Sequence, residues 1–298
     1  MPIPPDKIKI LLIGEEYHAK VFNQLLENYE KSVFEPKFYS ELPSNEVLKQ
    51  FDLFHLISSP LPVIKKLSHH SKPILYHWIG TDVYRFLNDN FLKRYLKKPI
   101  INSPKVHNLV VSENLKCELE KFSIHSSILP LTNLKIIDDL PMMPKKLSVM
   151  SYIPRHRWDF YHGDLIIELS SKLPEINFHI LAAGKENSGR HNVFFYDFVE
   201  DTTFFYKKCS VLMRFTVHDG LPKMVLEALS YGRQVLWNEQ FPHCFTVKDL
   251  KECIAVLKKL EANCQLNIEG KRFVDDYFNE SKVIGDYYQL CQEILFKK

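Results

Sequence analysis

The sequence predicts an α/β protein made of two Rossmann-like domains facing each other across a cleft. Two observations carry this. Short apolar, strand-like runs alternate with amphipathic stretches, as βα units of a parallel sheet do. A charged, proline-containing segment, "IDDLPMMPKK" (137–146), interrupts the alternation, which then restarts.

In the first half, "KIKILLIG" (7–14), "FDLFHLIS" (51–58), "PILYHWIG" (73–80) and "NLVVSE" (108–113) read as buried strands. "HAKVFNQLLENYEK" and "SENLKCELEKF" read as helices between them. In the second half, "LSVMSYI", "INFHILAAG", "NVFFYDFV", "CSVLMRFTV" and "RQVLWN" read as strands, with a helix over "GDLIIELSSKL". The tail "KVIGDYYQLCQEILFKK" spaces Val283, Tyr287, Leu290, Ile294 and Leu295 as an amphipathic helix. The expected organisation is an N-terminal domain over 1–140, a C-terminal domain over 141–275 and a final helix over 276–298. Ligands of open α/β sheets sit beyond the carboxyl ends of the strands, so the cleft is the expected site.

Composition narrows the function. The 298 residues are 45% hydrophobic and 25% charged, the balance of a globular protein with chain enough for a core. A net charge of +3 gives no argument for nucleic acid. The six cysteines lack CxxC spacing and read as reduced thiols of a cytoplasmic protein. The N-terminal apolar run is too short for a signal peptide, and no run is long enough to span a bilayer.

Missing motifs exclude several chemistries. Only Gly14, followed by Glu15 and Glu16, ends the first strand, so a dinucleotide fingerprint is absent. "GKENSGRH" (184–191) nearly spells a P-loop, but Arg190 and His191 replace its Lys and Ser/Thr. No HExxH or Cys/His cluster indicates zinc, and no Asp-x-Asp offers a divalent-metal pair. No G-x-S-x-G elbow is present.

"HDGLPKMVLEAL" (218–229) carries the chemistry. Asp219 is a good helix N-cap, Pro222 suits the first turn, and Gly232 closes the helix. A helix N-terminus attracts phosphate, and Arg214 and Lys223 add charge. Eight helical residues span about 12 Å, the reach from a sugar across a diphosphate to a ribose. Asp219 and Glu227 would hold the two ends. The plainer alternative is that Asp219 only caps the helix and Glu227 only pairs with a base.

This stretch resembles the E-x7-E segment of the retaining GT-B glycosyltransferases of glycosyltransferase family 4. Asp219 stands for the first Glu, while Gly220, Leu221, Pro222, Glu227 and Ala228 match. "PILYHWIGTDV" resembles the family's His-x-Gly-x-Asp turn through His77, Gly80 and Asp82, with one extra residue. "NLVVSENLKCELEKFSIHSSILPL" and "SVMSYIPRHRWDFYHGDLIIELSSKLPEINFHILAAG" resemble the segments before the linker and at the start of the nucleotide-binding domain.

The resemblance implies a hexosyltransferase-type enzyme that keeps the anomeric configuration and needs neither metal nor cofactor. Its donor would be a nucleotide-diphosphate sugar and its acceptor a glycan, lipid-linked or other hydroxyl. Glu227 would hold ribose. Asp219 and His77 would face the donor sugar, with His218 beside them and Gly220, Leu221 and Pro222 lending backbone contacts. The acceptor side would include Asp82, Gly14 and Glu15. The final helix would cross back to the first domain.

The family's Gly-Arg gives way here to Ser151-Tyr152 and its Lys-Gly to His162-Gly163, so Arg155 or Arg157, with Arg157 favoured, would supply charge to the diphosphate. Two other readings stay open: a degenerate, non-catalytic nucleotide- or glycan-binding subunit, and a GT-B epimerase. The basic, aromatic run "FLKRYLKKP" (91–99) is either a solvated helix face or a peripheral contact with anionic membrane.

Overall fold

A computed structural model describes residues 7–29, 33–132, 134, 136–184 and 189–296. The described chain forms two compact units. The first runs to residue 132 and includes His218–Leu221 and the chain from Phe278. The second holds Leu134–Val217 and Pro222–Tyr277. Of the near-P-loop stretch, residues 185–188 lie outside the described residues.

The first unit is built from β1 (Ile8–Gly14), α1 (Glu16–Glu27), β2 (Phe34–Tyr39), α2 (Asn45–Leu48), β3 (Leu53–Ile57), α3 (Leu61–Leu67), β4 (Ile74–Trp78), α4 (Thr81–Asn88), α5 (Phe91–Ile101), β5 (Val106–Val110), α6 (Glu113–Glu120) and β6 (Ser126–Ile128). Its six strands run in the order β2-β1-β3-β4-β5-β6, each pair parallel. Period-2 alternation divides β1 between two cores. Ile8, Ile10 and Leu12 join one face, and Leu11 and Ile13 the other. Strand β2 lacks an apolar run and carries Pro36, which a sheet tolerates at an edge.

The second unit comprises β7 (Ser148–Tyr152), α7 (Gly163–Lys172), β8 (Asn177–Leu181), β9 (Val193–Phe195), α8 (Thr203–Lys208), β10 (Val211–Arg214), α9 (Lys223–Ser230), β11 (Gln234–Trp237), β12 (Phe245–Thr246), α10 (Leu250–Ala262) and α11 (Ile268–Tyr277). The strand order is β12-β11-β10-β7-β8-β9, again parallel throughout. This is the doubly wound order, with its reversal between β7 and β10. The segment 137–146 contains no helix or strand. Buried Arg233 ties it down by donating from Nη2 to the carbonyls of Pro141 (3.0 Å) and Met142 (3.3 Å).

The last helix, α12 (Glu280–Phe296), lies on the first unit. Val283, Ile284, Tyr287 and Cys291 are buried in the core with Ile8, Ile10, Phe22 and Leu26. Burying four such side chains contributes several kcal/mol, at roughly 1.5–3 kcal/mol for each large one.

Candidate functional site

The candidate residues fall into two sets, one in each unit.

In the second unit, Tyr152 ends β7 and Arg214 ends β10, on the two sides of the strand-order reversal. That is where doubly wound sheets bind ligands. Ser151 is not available there: it is buried, and its hydroxyl donates to the Met213 carbonyl at 3.0 Å. Arg155 and Arg157 sit on a single 3-10 turn between β7 and α7. Arg155 lies beside Gly184. The Arg157 guanidinium stacks 4.1 Å over Phe160 and 5.4 Å over Tyr161, and buried Arg214 lies 4.9 Å over Tyr161. Burial and the neighbouring Tyr161 raise the Tyr152 hydroxyl above its usual range, against the two arginines. His162 takes a left-handed conformation (φ 49°) at the start of α7, turning the chain into that helix. The result is a cationic, aromatic cluster around a helix N-terminus, with donors suited to phosphate and flat faces suited to a base.

Helix α9 begins at Lys223, with Pro222 at the N-cap position (φ −68°, ψ 121°). This corrects the expectation for Asp219, which lies three residues earlier and does not cap. Proline disfavours helical backbone in the residue before it, so the helix cannot extend back through Leu221. The Asp219 carboxylate accepts instead from Gly220 N at 3.1 Å. The eight-residue spacing to Glu227 is therefore not one helical rise, and the 12 Å span lapses with it.

Glu227, one turn into α9, is held at both oxygens. Tyr206 donates to Oε2 at 2.8 Å, and Lys223 Nζ lies 3.4 Å from Oε1. Tyr206 is buried, and burial, with the Glu227 charge second, pushes its hydroxyl well above the ordinary range. It is thus a fixed proton donor that orients the carboxylate. Lys223 is exposed and Glu227 half-buried, so this second contact is a surface ion pair.

In the first unit, the segment His218–Leu221 packs on its own neighbours. His218 Nε2 lies 2.9 Å from Glu118 Oε2 of α6, and its ring packs 5.3 Å from Tyr84 of α4. Leu221 joins the apolar core. Gly220 presses against the β4–α4 turn so closely that a Cβ there would lie 2.1 Å from the Ile79 carbonyl oxygen. A Cβ on Gly80 would in turn lie 3.0 Å from Gly220 N. Two glycines thus let two backbones touch.

Asp82 folds its carboxylate over that same turn, accepting from Gly80 N (3.0 Å), Ile79 N (3.1 Å) and Val83 N (2.9 Å). Burial raises its pKa, against these donors. It also lines a pocket of about 210 Å³ with Ser58, Ser59, Trp78 and Arg85. Gly14 ends β1 at the first unit's own strand-order reversal; a Cβ there would lie 1.8 Å from the Ile57 carbonyl. Glu15 is the N-cap of α1, its carboxylate accepting from His18 N at 2.9 Å and lying 2.6 Å from His18 Nδ1. Partial burial works against these contacts, which still hold its pKa below the usual value.

His77 requires the second correction. It is fully buried and has no open nitrogen: Nε2 lies 2.8 Å from the Leu129 carbonyl, and Nδ1 lies 3.1 Å from His55 Nε2. His55 Nδ1 in turn lies 3.1 Å from the Tyr287 hydroxyl. Because a carbonyl can only accept, Nε2 of His77 carries the proton, and the remaining donors follow in sequence. Burial holds His77 down at about 3 and His55 well below its usual value, so both rings are neutral. This chain joins β4, β3 and α12 and offers nothing to a substrate.

Sequence reasoning missed Tyr206, Phe160, Tyr161 and His55. Aromatic residues in a chain that is 13% aromatic give no signal until a guanidinium or carboxylate is found against them.

No family profile and no curated protein matches the sequence. Solved structures do match in fold. HepE of Anabaena, in complex with UDP-glucose, superposes at TM-score 0.71 and 9% identity, over 96% of this chain and 100% of that one. Sucrose-phosphate synthase of Thermosynechococcus elongatus gives 0.72 and 13%, over 96% and 99%. The pneumococcal O-GlcNAc transferase GtfA, with UDP and GlcNAc, gives 0.62 and 14% over 85% of this chain, which spans 60% of that longer one. The fold is that of the GT-B glycosyltransferases.

Proposed function

We propose that this chain is a retaining, metal-independent glycosyltransferase that moves a sugar from a nucleotide-diphosphate sugar to a hydroxyl acceptor. The observation that carries the reading is the full-length fold likeness to HepE, whose structure holds UDP-glucose.

In this reading the second unit binds the donor. Glu227, oriented by Tyr206, accepts from ribose hydroxyls. Arg157 and Arg214, with the N-terminus of α7, receive the diphosphate. Charge develops on that leaving group as the glycosidic bond breaks, and fixed donors stabilise it without reorganising. Asp219 faces the sugar, one methylene shorter than a Glu. Asp82 and the pocket around it take the acceptor, a glycan or lipid-linked hydroxyl.

The test is a thermal-shift screen of nucleotide sugars followed by product analysis. A bound donor raises apparent stability by mass action, and transfer keeps the anomeric configuration. Absence of any nucleotide-dependent shift, together with an unchanged Glu227→Ala profile, removes the reading.

The sealed His77 and the Ser151-Tyr152 and His162 positions favour a second reading, a nucleotide- or glycan-binding subunit without catalysis. Slow donor hydrolysis in water separates the two, since a binder leaves the donor intact.

A further inference from the structure

Helix α5 is built inside out. At 3.6 residues per turn, Phe91, Tyr95, Pro99, Leu92 and Leu96 fall within an arc of about 140°. That arc faces solvent: Phe91 is 77% exposed, Leu92 63%, Tyr95 65% and Leu96 62%. Two of its four cations, Arg94 and Lys97, turn to the inner side. Arg94 donates from Nη1 to the Leu87 carbonyl at 2.8 Å and lies 5.1 Å over the Phe122 ring, and Lys97 pairs with Asp89. Only Ile101 is fully buried. A surface helix ordinarily turns its apolar stripe to the core, so this one presents its binding face outward.

We infer that α5 docks the protein on an anionic lipid bilayer, with Phe91, Leu92, Tyr95 and Leu96 entering the interface. Charge complementarity selects this occupant. Lys93 and Lys98 border the apolar arc on its two sides. Of the basic residues between Asn90 and Ser112, Lys93 and Lys105 are exposed, while Lys97 is paired with Asp89. Helix α3, packed against α5, adds the exposed Lys65 and Lys66. A second copy of the chain fits worse, because a two-fold contact through this face sets the bordering lysines against their own like charges. Tyr95 has the apolar body and polar tip that suit the headgroup level. Contact of this kind is peripheral. Among the described residues no helix is long and apolar enough to cross a membrane.

The inference is independent of the donor reading, because it is tested without any nucleotide sugar. The intact protein is sedimented with vesicles of pure phosphatidylcholine and of phosphatidylcholine with about a third phosphatidylserine. Binding is expected to the anionic vesicles only, weakening as salt rises. Each surface lysine is worth about five-fold in partitioning, so the Lys93→Gln/Lys98→Gln pair is expected to lose about 25-fold. Leu92→Gln/Leu96→Gln is expected to abolish sedimentation with its melting temperature unchanged, since neither side chain is packed. Equal binding to both vesicle types overturns the inference, as does no binding at low salt. So does a dimer that the Leu92→Gln/Leu96→Gln variant converts to monomer while vesicles capture nothing.

Discussion

His77 Nε2 and the carbonyl oxygen of Leu129 lie 2.8 Å apart inside the first unit, and that hydrogen bond sets the proton positions of a buried chain running through His55 to Tyr287. A histidine that the sequence pattern marks for substrate is instead a fastener between two strands and the last helix.

The fastener makes stability depend on pH. Both imidazoles are held neutral below the ordinary value of 6.5, His77 down to about 3. The unfolded chain therefore binds more protons in that window. Stability is expected to be full above about pH 6.5 and to decline as pH falls from there toward 3. Urea titrations across that range check it. His77→Phe removes part of the slope and costs about 2–3 kcal/mol, by leaving the Leu129 carbonyl and the His55 donor unpaired. Donor affinity stays as it was; a large change there would return His77 to the site.

Gly220→Ala is expected to be severe. Its Cβ would meet the Ile79 carbonyl oxygen at 2.1 Å, so the backbone must move, at about 2–3 kcal/mol or more. Limited proteolysis is expected to cut at 217–222 in the variant. A fully resistant variant with wild-type melting temperature speaks against the close approach.

Tyr206→Phe tests the orientation of Glu227 without touching the acid. Losing a hydrogen bond to a charged group costs about 1.5–3 kcal/mol of stability, and with the carboxylate no longer held the Kd for the best nucleotide sugar, measured by calorimetry, is expected to rise. An unchanged Kd assigns the pair a packing role in α9.

Arg157 and Arg214 separate by burial. Arg157→Ala, at an exposed position, is expected to weaken nucleotide binding with little loss of stability. Arg214→Ala is expected to lower both, because its guanidinium is buried against Tyr161. Retained affinity in both variants moves the diphosphate site elsewhere.

The fold was legible because fully buried parallel strands read as apolar runs, such as "ILYHW" and "VLMR". Strand β2 was not, since Pro36 and Lys37 mask an edge strand. At the candidate site the spacing of Asp219 and Glu227 is visible in the sequence, but the break at Leu221-Pro222 is not, since a proline equally suits the first turn of a helix. The environments of His77 and Glu227 were out of reach, because Leu129, Tyr287 and Tyr206 come from distant parts of the chain and only tertiary packing joins them.

The packing of α12 also orders events in time. The chain leaves the ribosome with β1 to β6 first, while Val283, Ile284 and Tyr287 follow roughly 150 residues behind Leu129. At about 5–20 residues per second, their face of the sheet waits roughly 8–30 s for its cover. Nascent chains stalled before residue 280 should then bind chaperones through Ile10, Leu12 and Phe22, and release from them should follow the emergence of α12.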